Sequence, residues 1–251
     1  MTIETYGTGE RLRIAAALAH KIEPKHLVLL PIPTTKDKIY INKTDIPLID
    51  TLDGVGEGSV VVGYGIPGDY KDLVHNMGAD VIDLEEDEDF LCENARLTAI
   101  GTLGYLLSTS KKEPKDLCFG IIGYGRIGSR LAEMLLFFGA RVKVYTSKEA
   151  TCIFLGKYGI ESAYVAKDDG YYDFSGLDII INTAEKDMTE SFPLGKISDG
   201  VRVIELASGD NFIGVNGVER LPSIPEKAFA ESSARAYFDR IKKFYSARGE
   251  A

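Results

Sequence analysis

Residues 123–128 read Gly-Tyr-Gly-Arg-Ile-Gly, and their flanks restrict the fold more than any other stretch of the chain. An apolar run, Leu117 to Ile122, leads into the glycines. An apolar-periodic segment, Ile127 to Phe138, leads away from them to Gly139-Ala140, and a second apolar run, Arg141 to Tyr145, follows. The pattern predicts strand, helix and strand, with the glycines in a tight strand-to-helix turn. Each glycine then has a physical use. Gly123 permits the turn, Gly125 has no Cβ and admits a phosphate to the backbone, and Gly128 lets helix and strand pack closely. The start of the helix, at Ile127, adds free amide donors and partial positive charge, and Arg126 adds a cation. G-x-G-x-x-G in this context points to a bound dinucleotide, although a glycine turn of purely structural use fits the same letters.

The end of the next strand bears on which dinucleotide. A site for NAD places an acid there, about 20 residues past the glycines, to hold the ribose 2′-hydroxyl. Position 146 lies 146 − 128 = 18 residues on, and the chain reads Thr146-Ser147-Lys148, with no carboxylate before Glu149. Hydroxyls and a lysine suit a 2′-phosphate, so NADP is expected rather than NAD. Two further strand ends, Asn182-Thr183-Ala184 and Ala207-Ser208-Gly209, are expected to line the ribose and nicotinamide. Asn182 serves equally well as a cap on its strand.

Short apolar runs alternate with helical patterns along the rest of the chain. Strands are expected at residues 26–30, 59–63, 80–84, 177–182 and 201–207, with helices before residue 22, over 90–107 and over 152–158. The fold class is α/β with two domains. One is a C-terminal Rossmann-type doubly wound parallel sheet over residues 94–228. The other is a smaller N-terminal α/β (flavodoxin-like) substrate domain over 1–93 with 229–251. A last long helix is expected from about Pro225, with Ser223-Ile-Pro-Glu226 as a capping box. The acidic run Asp83, Glu85 to Asp89 reads as a solvated loop, since it lacks the spacing and the glycine of a calcium loop.

Composition narrows the class. The chain has 251 residues, 45% of them hydrophobic and 27% charged, which is enough apolar content for a core. Its net charge of −9 opposes binding to nucleic acid or anionic membranes. Three cysteines without a CxxC give neither a disulfide scaffold nor a cysteine zinc site, and no metal is expected. No basic-then-apolar leader opens the sequence, and no apolar run nears the ~18 residues of a membrane span, so a cytoplasmic protein is expected.

The ordered set Leu30-Pro-Ile-Pro-Thr-Thr35, Asn94-Ala-Arg-Leu-Thr-Ala99, Gly123 to Gly128, Ile180-Ile-Asn-Thr183, Leu206-Ala-Ser208 and Leu221-Pro-Ser-Ile-Pro225 resembles the dipicolinate synthase family, in its A subunit. That family is related to the D-2-hydroxyacid dehydrogenases. The resemblance implies an N-terminal substrate domain, a C-terminal NADP domain and a last helix that returns to the first domain. It also implies dehydrogenation of a dihydrodipicolinate-type ring acid to pyridine-2,6-dicarboxylate in sporulating bacteria, with a flavoprotein-like second subunit as partner. A homo-oligomer is expected. The chain departs from the family in three ways. Ile100 stands where the interdomain helix usually has a glutamate, Leu206-Ala-Ser is followed by Gly209-Asp210 rather than Pro-Gly-Gly, and the N-terminal domain is shorter.

Hydride transfer needs a group to manage a proton, and hydroxyacid dehydrogenases use a histidine with a carboxylate. His20, His26 and His75 all fall in the first domain and read as surface or helix residues, so the catalytic group is not assigned. Substrate carboxylates need donors and positive charge. Thr34 and Thr35 past a strand end, Asn94 and Thr98 one helical turn apart, and the cations Lys36, Arg96 and Lys227 are the candidates. A nucleotide-binding protein that has lost catalysis and works as a sensor or as the partner of another chain is the alternative.

Overall fold

The computed structural model describes residues 2–165, 172–185, 200–208 and 211–249. The chain divides into two units, Met1–Leu97 with Pro225–Ala251, and Thr98–Ile224.

The first unit holds β1 (Thr2–Thr5), α1 (Glu10–Ala19), β2 (His26–Leu29), β3 (Ser59–Gly63), α2 (Gly68–Asn76) and β4 (Asp80–Asp83). A long helix, α3 (Glu88–Thr109), carries the chain across the boundary between units. The four strands form one parallel sheet in the order β1-β2-β3-β4. β2 and β3 are buried along their whole length, because a central parallel strand is covered on both faces. Alternation assigns the faces. Leu27, Leu29, Val60 and Val62 pack with α1 and a returning helix, whereas Val28, Leu30 and Val61 pack with Tyr70 and Val74 of α2.

The second unit continues with β5 (Cys118–Ile122), α4 (Arg126–Phe137), β6 (Arg141–Thr146), α5 (Glu149–Lys157), β7 (Glu161–Tyr164), β8 (Ile179–Asn182), β9 (Arg202–Glu205) and β10 (Val218–Arg220). All are parallel, in the order β10-β9-β8-β5-β6-β7. Numbered within the unit this is the doubly wound 3-2-1-4-5-6 order, with the reversal between β5 and β8. One face buries Phe119, Ile121, Val142 and Val144 under α3 and α4; the other buries Ile122, Tyr145 and Ile180 under Tyr172, Phe174 and Phe212. β7 and β10 were not foreseen. Both are edge strands, and neither Glu-Ser-Ala-Tyr nor Val-Glu-Arg contains an apolar run. No helix among the described residues is long and apolar enough to cross a membrane.

The chain ends in α6 (Ile224–Ala228) and α7 (Ala230–Ala247). Two helices thus replace the single one expected, because the backbone breaks at Phe229 (φ −143°, ψ 60°). The capping box does not form. Ser223 sits at φ 58°, in the left-handed region, where an N-cap needs extended backbone. Glu226 instead accepts the N–H of Arg11 at 3.2 Å and so caps α1. α7 packs on α1, and the fully buried Tyr237 shares its hydroxyl proton between the carbonyls of Leu30 (3.0 Å) and Val62 (2.9 Å).

The acidic run is a solvated loop only in part: Glu85, Glu86, Glu88 and Asp89 are exposed, whereas Asp83 and Asp87 are enclosed to different degrees. Asp83 is buried, accepts the N–H groups of Gly65, Ile66 and Glu85, and pairs with Lys71 at 2.6 Å. Asp87 caps α3 through the N–H of Phe90 (2.8 Å), and Asp87 and Asp89 meet Arg240 of α7. Acids at a helix start are favoured by its dipole, and here basic residues of α7 face them.

Candidate functional site

The glycine turn leaves the sheet at the reversal of strand order, where ligands of open parallel sheets bind. Gly123 has φ +92°, and its N–H donates to Tyr145 O at 2.8 Å. A Cβ at Gly128 would lie 2.2 Å from Gly123 O and 2.9 Å from Thr183 Oγ1, so only glycine fits there. Gly125 is the opposite case. It is exposed, and a Cβ on it would meet nothing within 4 Å.

Gly125 is also the N-cap residue of α4 and, having no side chain, makes no side-chain cap hydrogen bond itself. There is no acid in its first turn. Arg126 is exposed, and Ile127 is half-buried. The backbone at Gly125 is thus an open surface at a helix start, which is the kind of donor set a diphosphate needs. Thr183 lies under the turn, donating its hydroxyl proton to Ile122 O at 2.9 Å.

At the end of β6, Thr146 is buried and its hydroxyl accepts the N–H of Lys148 at 3.2 Å. Ser147 and Lys148 are exposed, and Lys148 is the N-cap residue of α5. At the ends of β8 and β9, Asn182 does not line an open surface. It is fully buried, and its amide nitrogen donates to Ala184 O (3.0 Å) and to both carboxylate oxygens of Glu205 (3.1 and 3.0 Å). That is the capping role, because the side chain has no donor left over. Ala207 is half-buried and its N–H donates to Glu205 at 2.8 Å; Ser208 is exposed. Gly209 and Asp210 lie outside the described residues.

Glu205 was missed by sequence reasoning. Its one signal was a charged residue inside the buried run Val203-Ile-Glu-Leu206. Burial pushes its carboxyl above the ordinary range, against donors from Asn182, Ala207 and Asn211 and the charge of Arg220. The folded chain thus keeps a proton that the unfolded chain has released. The stability due to Glu205 is full below the unfolded value, about 4.3. It is lost as pH rises through the raised folded value. Glu205→Gln, neutral throughout, is expected to remove this decline. Urea unfolding of both forms across this range measures it, and parallel pH profiles would contradict it.

The candidates of the first unit fare unevenly. Thr34 is fully buried, its hydroxyl accepting Tyr64 N–H at 2.8 Å and its carbonyl accepting Asn42 N–H at 2.8 Å. It braces a loop against β3 and is closed off from the surface. Thr35 is half-buried, and its hydroxyl is held in a local turn with Asp37 (3.1 Å) and Lys38 N–H (2.9 Å). Arg96 is paired with Glu93 at 2.6 Å, and Lys36 and Lys227 are exposed. Asn94 is half-buried and Thr98 buried, one turn apart on α3. His20 and His75 are exposed, whereas His26 is a buried strand residue with Nδ1 3.1 Å from Ser59 Oγ. Among the described residues no group of three or more His, Cys, Asp or Glu is placed to hold a metal ion.

No protein-family model and no curated protein matches the chain. Solved structures do. The dipicolinate synthase A subunit from Bacillus halodurans superposes with a TM-score of 0.76 at 18% identity, over 97% of each chain. The A chain of dipicolinate synthase from Bacillus subtilis gives 0.76 at 16% identity, over 100% of this chain and 98% of that one. A transhydrogenase from Sinorhizobium meliloti gives 0.60 at 15% identity, over 91% of this chain and 76% of that one. At such identities the likeness is one of fold, and the fold is that of the dipicolinate synthase A subunit.

Proposed function

We propose that the chain is an NADP-dependent oxidoreductase that passes a hydride between nicotinamide and a small cyclic dicarboxylate of the dihydrodipicolinate type. The observation that carries it is the start of α4 at the reversal of strand order, with an exposed glycine as its N-cap residue and open space where a side chain would stand. The residues fit the group. The amides of α4 and Gly125 would hold the diphosphate, with Arg126 adjoining. Ser147 and Lys148 would meet the 2′-phosphate, and Thr183, Ala207 and Ser208 would border the remainder. The nicotinamide supplies the hydride acceptor or donor when bound. The substrate class rests on the fold shared with two dipicolinate synthase chains and on the motifs set out above.

A second reading, nucleotide binding without turnover, is favoured by Ile100 and by the absence of histidine from residues 98–224. The two part in one assay. Oxidation or reduction of NADP(H), followed at 340 nm against cyclic imine and 2-oxo acids, is expected under the first. Tight NADPH binding with no turnover on any of them establishes the second.

The cofactor preference has its own test. Lys148→Asp is expected to weaken NADPH by roughly tenfold and to leave NADH within a factor of about two, since an attraction to the 2′-phosphate becomes a repulsion. Calorimetry with both nucleotides measures this. An equal effect on the two, or tighter NADH binding by the parent chain, would sink the assignment of NADP.

A further inference from the structure

Arg11 is the second residue of α1, six positions past the end of β1. It is 5% exposed, and its Nε is enclosed without a hydrogen-bond partner. Among the described residues its guanidinium makes no ion pair within 4 Å and no hydrogen bond. The two groups that act on its charge are Glu226 and Tyr237, and both are otherwise engaged. The Glu226 carboxylate accepts the main-chain N–H of Arg11 and fills the space beside Gly9, where a Cβ would lie 2.3 Å from its Oε1. The Tyr237 hydroxyl is given to Leu30 and Val62.

An arginine buried without a partner is costly, and a methionine or leucine of similar volume would remove the cost. Burial does lower its pKa, with Glu226 and Tyr237 opposing, yet a guanidinium does not give up its proton in a protein. The position matters as much as the burial. Leu30 and Val62, to which Tyr237 is tied, lie at the carboxyl ends of β2 and β3, the edge at which parallel sheets bind ligands. A helix start and an unpaired buried cation thus coincide at that edge.

We propose that Arg11 anchors an anion site in the first unit and that the ligand group is a carboxylate of a small organic acid, received on the two-pronged guanidinium. That the anion is a carboxylate rests on the function proposed above; that there is an anion does not. Glu226 holds the adjoining amide, so the incoming acid takes the guanidinium rather than the helix.

Pyridine-2,6-dicarboxylate, unsubstituted pyridine and inorganic phosphate are titrated calorimetrically into the full chain and into Arg11→Met and Arg11→Lys, with NADPH titrated into the same samples. The dicarboxylate is expected to bind the parent. It should weaken by about thirtyfold or more in Arg11→Met and less in Arg11→Lys, as expected for a charge-assisted contact. Pyridine should not bind, and NADPH affinity should be unchanged in both variants. Without ligand, Arg11→Met should melt at a higher temperature than the parent, the reverse of what a structural arginine would give. Equal dicarboxylate binding by parent and Arg11→Met, no binding to the parent, or a lower-melting or unfolded Arg11→Met each overturns the site. Binding of phosphate without the dicarboxylate overturns the carboxylate. Failure of NADPH to bind, with the Arg11-dependent signal intact, removes the proposed function and leaves the anion site standing.

Discussion

Gly125→Val should abolish tight NADPH binding while the chain melts as the parent does. The residue is exposed, has φ −89°, and has open space around the missing Cβ. A branched side chain is therefore accepted by the apo fold at a cost within about 1 kcal/mol, the range for an N-cap exchange. The same side chain stands where a diphosphate must reach the backbone. Affinity should fall about a hundredfold or more, equivalent to roughly 2.7 kcal/mol. Gly128→Ala is the control with the opposite signature. Its Cβ would meet the backbone oxygen of Gly123 at 2.2 Å, and neither atom can swing aside. Stability should drop by about 1–3 kcal/mol, as in overpacked cores, with binding lost as a consequence. Calorimetry with NADPH beside thermal melting separates the two. A Gly125→Val chain that binds NADPH like the parent would remove α4 from the site.

Tyr237→Ala should be among the most damaging substitutions in the first unit. The ring is fully buried between α1 and the sheet, and its hydroxyl serves two carbonyls at the ends of β2 and β3. Truncating a buried aromatic costs roughly 3–5 kcal/mol. Tyr237→Phe keeps the ring and leaves Leu30 O without this donor, for about 1 kcal/mol. Hydrogen exchange of the β2 and β3 amides under denaturant reports this unit by itself. A loss below about 1 kcal/mol for the alanine variant would show that α7 is not integral to the sheet.

The parts of the fold that were legible are those written in apolar letters. β2, β3, β5 and β8 are short apolar runs, and burial on two faces demands such runs. β7 and β10 escaped because an edge strand needs no such run. Of the candidate site, the three glycines were legible: Gly123 by its positive φ and Gly128 by close approach are positions the backbone restricts to glycine, and Gly125 completes the spacing between them. The side-chain candidates were less so. Thr34 and Asn182 carry the polar groups expected of a site, yet both turn inward to satisfy neighbouring backbone and Glu205. Sequence alone does not say which way a strand-end side chain turns. The buried, unpaired state of Arg11 was likewise invisible, because helix position 2 reads as solvent until α6 and α7 are laid beside it.

Because the first unit takes its closing helix from residues 225–249, the order of synthesis and the order of folding cannot agree. On the ribosome, β1 to β4 emerge first and wait, with the apolar side of α1 and the carbonyls of Leu30 and Val62 uncovered, while all of residues 98–224 are made. The later-made unit is thus the first that can mature, and the earlier one is the part a chaperone or a protease would meet half-built.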